Sequence, residues 1–149
     1  MKKLLFIITV LVLVLSFSGC SQKPKDSNKA VVIEQGSDIE GVSIEFKRIN
    51  LKAEKPYIEI EWKNDTENEF VYGESFELEY LNGRQFESCA KDEVYFNSLG
   101  YILPAKSTKT EDYNLSQFDI SKSGAYKFKV RYSESKYLWI VFELIEEEK

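Results

Sequence analysis

The chain has two cysteines, no histidine and 25 acidic residues, and these decide what chemistry it can do. Without histidine, a Ser-His-Asp or Cys-His arrangement cannot form, and the commonest general base and transition-metal ligand is missing. No glycine-rich phosphate loop is present. The carboxylates mostly fall at alternate positions of β-like segments, as on a solvated sheet face. A carboxylate pair on neighbouring strands is the one hydrolytic device left open. The densest oxygen-bearing run, Asn64-Asp65-Thr66-Glu67-Asn68-Glu69, lacks the spacing of a calcium loop and reads as a polar turn. Cys89, in FESCAKDE, reads as a small half-buried side chain near a strand end. Glu87, Asp92 and Glu93 should hold its thiol protonated. We expect no catalytic residue, no metal site, no cofactor and no enzyme.

Cys20 stands in a different setting. Lys2 and Lys3 precede an apolar run from Leu4 to Phe17, which ends Ser18-Gly19-Cys20. A charged start and a short apolar stretch form a secretory signal, too short for a comfortable membrane span. The small residues before an obligatory cysteine resemble the bacterial lipoprotein signal. That resemblance implies cleavage between Gly19 and Cys20 and a diacylglyceryl group on the Cys20 thiol. Several acyl chains anchor stably where one is marginal. The expected location is the outer face of the cytoplasmic membrane, or the outer membrane if the envelope has two.

Removing residues 1–19 takes two lysines and no acid, leaving 18 basic against 25 acidic residues and a net charge of −7. That surface argues against nucleic acid and against electrostatic attraction to anionic lipid. With Cys20 spent, Cys89 has no intrachain partner for a disulfide. Residues 20–38 read as the lipidated N-terminus and a polar linker, with Ala30 to Ile33 able to add an edge strand. Residues 39–149 hold enough chain for one domain, and Glu146 to Lys149 form a solvated tail.

The folded part has a period of two. Val42, Ile44 and Phe46 alternate with polar residues, as do Ile58, Ile60 and Trp62, then Phe76, Leu78 and Tyr80, then Tyr126, Phe128 and Val130. Tyr113 and Leu115 should also face inward. Asn82-Gly83 predicts a hairpin with both residues at the centre of a type I′ turn. Tyr137 to Ile145 is a long apolar run, expected of a strand with both faces partly covered. About seven short strands at this spacing predict an all-β antiparallel sandwich. In SKSGAYKFKV, the tyrosine that starts an alternating strand predicts a tyrosine corner at Tyr126, with Phe128 where antibody domains carry a cysteine. Trp62 should be the core indole, on the second strand rather than the third.

The runs FVYGESFELEYLNG, GYILPAKSTKTEDYNLSQF and GAYKFKV, in that order, resemble a family of bacterial immunoglobulin-like domains. The resemblance covers about Val42 to Ile145. It implies a domain carried on lipoproteins and on the outer portions of membrane sensors, mostly without an assigned biochemical role, so it speaks to fold more than to function.

One surface is a candidate binding face. If Phe128 and Val130 point inward, Lys127, Lys129 and Arg131 point out; if Leu138, Ile140, Phe142 and Leu144 point inward, Tyr137, Trp139 and Val141 point out. A basic row would then lie between an aromatic row and the acidic row of Glu77 and Glu79. It forms either a ladder of cross-strand pairs or a binding face anchored by Arg131, Tyr137 and Trp139. The expected function is a membrane-anchored module that binds a protein or cell-envelope partner. Two alternatives are a small-ligand or envelope-fragment sensor, with a pocket between the sheets, and a protease-inhibitor-like domain acting through Asp92 to Ser98.

Overall fold

The computed structural model describes residues 28–145. The Gly19–Cys20 cleavage site, the lipidation site and the tail from 146 lie outside them. Ten strands are present among the described residues: β1 (Ala30–Ser37), β2 (Val42–Asn50), β3 (Tyr57–Asn64), β4 (Phe70–Gly73), β5 (Glu77–Asn82), β6 (Gln85–Ser88), β7 (Gly100–Leu103), β8 (Ser107–Asn114), β9 (Gly124–Ser133) and β10 (Lys136–Leu144). They form a five-stranded sheet ordered β1-β10-β9-β5-β6, a three-stranded sheet β2-β3-β8 and a two-stranded ribbon β4-β7. Every pairing is antiparallel.

The two larger sheets close over one core, because the period-two residues of each share a face. Ile58, Ile60 and Trp62 of β3 meet Phe128, Leu138, Ile140 and Phe142 of β9 and β10, all with no exposed surface. Burying a side chain of this kind contributes about 1.5–3 kcal/mol. On β2, simple alternation from Val42, Ile44 and Phe46 would turn Ile49 outward. A register shift between Phe46 and Arg48 restores it to the core, where it is fully buried.

Four expectations need correction. β1 runs from Ala30 to Ser37 and pairs with β10 along its length, so strand structure reaches well into the stretch read as linker. The β5–β6 turn is centred one residue later than expected. Asn82 pairs with Gln85, so Gly83 and Arg84 are central and only Gly83 has positive φ (67°). That is the sign pattern of type II′, which needs glycine at the first central position. Trp62 is third in chain order once β1 is counted, yet its strand lies in the sheet opposite β9 and β10. Val141 takes the outward alternation but is buried, between Glu34 of β1 and Lys127 of β9.

The tyrosine corner is formed. The Tyr126 hydroxyl donates to the Lys122 carbonyl at 2.7 Å, and the ring is buried. The run from Asn64 is a turn organised by one buried side chain. The Asn64 amide nitrogen donates to the carbonyls of Asn68, Leu103 and Pro104. Its oxygen accepts from the Thr66 backbone N–H and hydroxyl. Asn64 thereby joins the β3–β4 turn to the β7–β8 turn, in which Lys106 takes positive φ.

Candidate functional site

The outer face of the five-stranded sheet carries the three rows in the expected order. Trp139 lies opposite Lys129 and Tyr137 opposite Arg131, while Glu77 flanks Lys129 on the other side. Lys129 Nζ reaches Glu77 at 2.7 Å and Glu79 at 3.3 Å, and sits 5.3 Å from the Tyr137 ring centroid. Arg131 bonds Glu77 at 3.2 Å, with its guanidinium 5.6 Å from the same ring. Tyr137 is thus held beside two cations. Trp139 lies against Gly36 of β1, and its Nε1 donates to Glu34 at 3.4 Å. These side chains satisfy one another across strands, the ladder arrangement. Held so, they have little ordering left to lose to a partner.

A second surface was not foreseen. On the β4–β7 ribbon, Phe70, Tyr72 and Leu103 turn into the core while Val71 and Ile102, direct cross-strand partners, turn out at 50% and 57% exposure. Leu99 (59%) and Tyr132 (51%) join Val71 around a groove of about 560 Å³ that also takes in Arg131 and the floor residues Trp62 and Leu138. The Tyr132 ring packs on Phe70 at 5.0 Å. Exposed apolar residues scattered singly are ordinary, whereas a cluster marks an interaction surface. Arg131 belongs to both surfaces, at the end of β9 where the ladder meets the groove.

Beside this groove lies a smaller cleft of about 280 Å³ between the ribbon, β8 and the loop before β7. Its walls include Tyr72, Glu74, Tyr95, Tyr101 and Glu111. On β8 the inward positions after Ser107 are Lys109, Glu111 and Tyr113, partners of Trp62, Ile60 and Ile58. Two charged residues at inward positions were therefore legible in STKTEDY, once the facing of Tyr113 was known. The Tyr72 hydroxyl donates to Glu111 at 2.8 Å, and that of Tyr101 donates to Glu74. Burial and the Glu111 bond push the Tyr72 hydroxyl well above the usual tyrosine range, and the Glu74 bond pushes Tyr101 up. Both phenols stay protonated as donors. The cleft lies at the flank of the sandwich, where the ribbon crosses its side.

Cys89 is buried, and its thiol is pushed up to about 11 by burial first, then by Asp119 and Glu79. The sequence-adjacent acids Glu87, Asp92 and Glu93 are not the neighbours that matter. The Asp92 to Ser98 loop is pinned by Gln117, whose side-chain oxygen accepts from the Tyr95 N–H while its amide donates to the Tyr95 carbonyl.

A family described as bacterial Ig-like domain matches residues 38–137, from the turn before β2 to the start of β10. The chain belongs to the bacterial Ig-like domain family. The match takes in β2 to β9, with the ribbon and the tyrosine corner, and leaves β1 and most of β10 outside it. Membership marks the domain as a generic interaction module of a typically non-catalytic kind. No curated protein and no solved structure matches the chain.

Proposed function

We propose that the chain is a lipoprotein, cleaved at Gly19–Cys20 and anchored through Cys20 at the outer face of the cytoplasmic membrane, where its Ig-like domain binds a protein partner of the cell envelope. The observation that carries the binding reading is the groove edged by the exposed apolar residues Val71, Leu99 and Tyr132, with Ile102 exposed beside Val71 on the ribbon. Arg131 extends it towards Tyr137 and Trp139, which serve as the rim on the sheet face.

The geometry of the tether favours this orientation. Seven residues lie between Cys20 and Asn28, eight chain steps that span at most about 28 Å. Asn28 bridges to Ile49, at the end of the sandwich where β2 and β10 finish. Tyr132 and the Phe70–Leu103 end of the ribbon stand towards the other end of β9, a strand of ten residues or about 33 Å. An anchored domain would therefore turn the cluster away from the bilayer.

Site-directed photocrosslinking in intact cells tests the reading. A crosslinking residue at Ile102 or Val71 should trap one discrete protein, and the same residue at Asn82 should trap none. Cys20→Ala should abolish membrane retention and weaken the crosslink. No adduct at either ribbon position, or equal adducts at Asn82, would remove the ribbon as the docking surface. Retention of Cys20→Ala in the membrane fraction would remove the anchor.

A further inference from the structure

The chain enters the fold at a fixed point. The Asn28 N–H donates to the Ile49 carbonyl at 3.0 Å, and its side-chain oxygen accepts from the Leu51 N–H at 2.8 Å. Just beyond it, Val31, Val32 and Ile33 are all exposed, Ile33 at 57%. β1 is the end strand of its sheet, with only β10 beside it in the ladder of described residues. Val31 is paired with Glu143 and takes the outer face, and Val32 is paired with Phe142 and takes the inner one. Ile33 sits at the register shift without a partner on β10. Three adjacent aliphatic side chains thus project from both faces of one open edge. In water such an edge invites self-association. A rigid protein surface meets one face of a strand, whereas a fluid lipid interface can close round both.

The distance to the anchor says what lies against this edge. Asn28 is at most about 28 Å of chain from Cys20. Val31 to Ile33 follow Asn28 by three to five residues, at most about 17 Å further along the chain. Among the described residues they are the first exposed large apolar side chains after Cys20. The ribbon borders β3 and β8 while β1 borders β2, so the two apolar surfaces lie on opposite flanks of the sandwich. An edge turned to the bilayer leaves the groove open to a partner. Charge does not assist the contact. Lys29, Lys52 and Lys55 share this end with Glu54 and Glu143, and the sequence continues from Ile145 into three more glutamates. The contact is therefore an apolar one.

We propose that the β1 edge is a bilayer-contact surface, with Val31, Val32 and Ile33 seated at the headgroup–acyl boundary of the membrane that holds Cys20. The inference rests on the lipid anchor proposed above. The anchor keeps the edge at high effective concentration beside the interface, so three aliphatic side chains suffice where they would not bind a membrane alone. Their contact sets the tilt of the domain and turns the ribbon flank towards the aqueous side.

The test uses the full lipidated chain, purified from membranes and reconstituted into phosphatidylcholine vesicles. Ile33→Cys, Val31→Cys and Ile102→Cys each receive an environment-sensitive fluorophore; Cys20 carries lipid and Cys89 is buried, so neither competes for the label. A nitroxide group on the phospholipid acyl chain, near the headgroup, is the quencher. The expected result is several-fold stronger quenching at residues 31 and 33 than at 102, unchanged by high salt or by added phosphatidylglycerol. With the label at residue 31, Ile33→Asp should lower the quenching several-fold while the chain stays on the vesicles and its urea midpoint shows it folded. Should Ile33→Asp fail to fold, Ile33→Ser takes its place, with the same direction expected. The proposal is overturned by equal quenching at all three sites, by none at 31 and 33, or by undiminished quenching in the folded variant. It is also overturned by quenching that needs anionic lipid and vanishes in salt. A disulfide between two unlabelled Ile33→Cys chains in place of quenching would assign the edge to a second copy and overturn it too. Flotation with the vesicles reports the anchor separately. A chain that does not float overturns the anchor and this contact with it, whereas flotation without quenching overturns the contact alone.

Discussion

The indole of Trp139 lies on Gly36, so closely that a Cβ at residue 36 would run into its ring carbons. The two are register partners on β10 and β1, and the missing side chain of one makes the bed for the other. This is why Trp139 is partly buried although it points away from the core. Gly36→Ala should displace the ring, shift its fluorescence to the red and cost about 1–3 kcal/mol. In a Trp139→Ala background the same change should be nearly neutral, which a double-mutant cycle by urea denaturation would read. Equal costs in both backgrounds would refute the contact. Trp139→Ala alone should leave the domain folded, because Leu138, Ile140 and Phe142 carry that strand's core contacts.

Removing the corner hydroxyl tests the other end of the sheet. Tyr126→Phe keeps the buried ring and deletes its bond to the Lys122 carbonyl. The expected loss is about 0.5–1.5 kcal/mol in chemical denaturation, with the ring stacking on Phe142 unchanged. An unaltered midpoint would mean that the corner bond adds nothing to stability.

Asn64 should be the least replaceable polar residue in the domain. It is fully buried, and its amide group serves three carbonyls and a threonine. Asn64→Ala leaves those carbonyls without a donor and should cost about 2–4 kcal/mol. Asn64→Asp, nearly identical in shape, should be worse at neutral pH, since it sets a carboxylate against three carbonyl oxygens. If denaturation midpoints rank Asp above Ala, that accounting is wrong.

Alkaline titration reports on Cys89 and Tyr126. Their acid groups are raised in the folded state to about 11 and about 12, from ordinary values of 9.0 and 10.0. A raised acid is neutral in the native protein while the unfolded chain has already ionised. Their share of stability is therefore intact below pH about 9 and is lost as pH rises through 9–12. Cys89→Ala should flatten the lower part of that fall. Native Cys89 should also resist alkylation at pH 8 and react on unfolding. Rapid native labelling would contradict its burial.

Much of the fold was legible from the chain alone. Period-two alternation placed Ile58, Ile60, Trp62, Phe128, Leu138, Ile140 and Phe142 inward because a strand has only two faces and one is dry. The glycine-tyrosine pattern marked the corner for a similarly local reason: its bond spans four residues. The order of basic, aromatic and acidic rows also followed from alternation, given the Ig-like strand order.

Tertiary structure alone decided what lies beside what. No local pattern says that β1 will cover Val141 or that Gly36 will receive Trp139, because those pairings join residues about a hundred positions apart. The acids that act on Cys89 come from other strands and loops, since electrostatics follows distance in space and not along the chain. The ribbon was invisible for the same reason. Val71 and Ile102 look like ordinary strand residues until β4 leaves the larger sheets and pairs with β7, turning one face of each to water. That departure gathers the apolar cluster and sets Tyr72, Tyr101, Glu74 and Glu111 around one cleft, a meeting of three separate segments brought together by the closing of the sandwich.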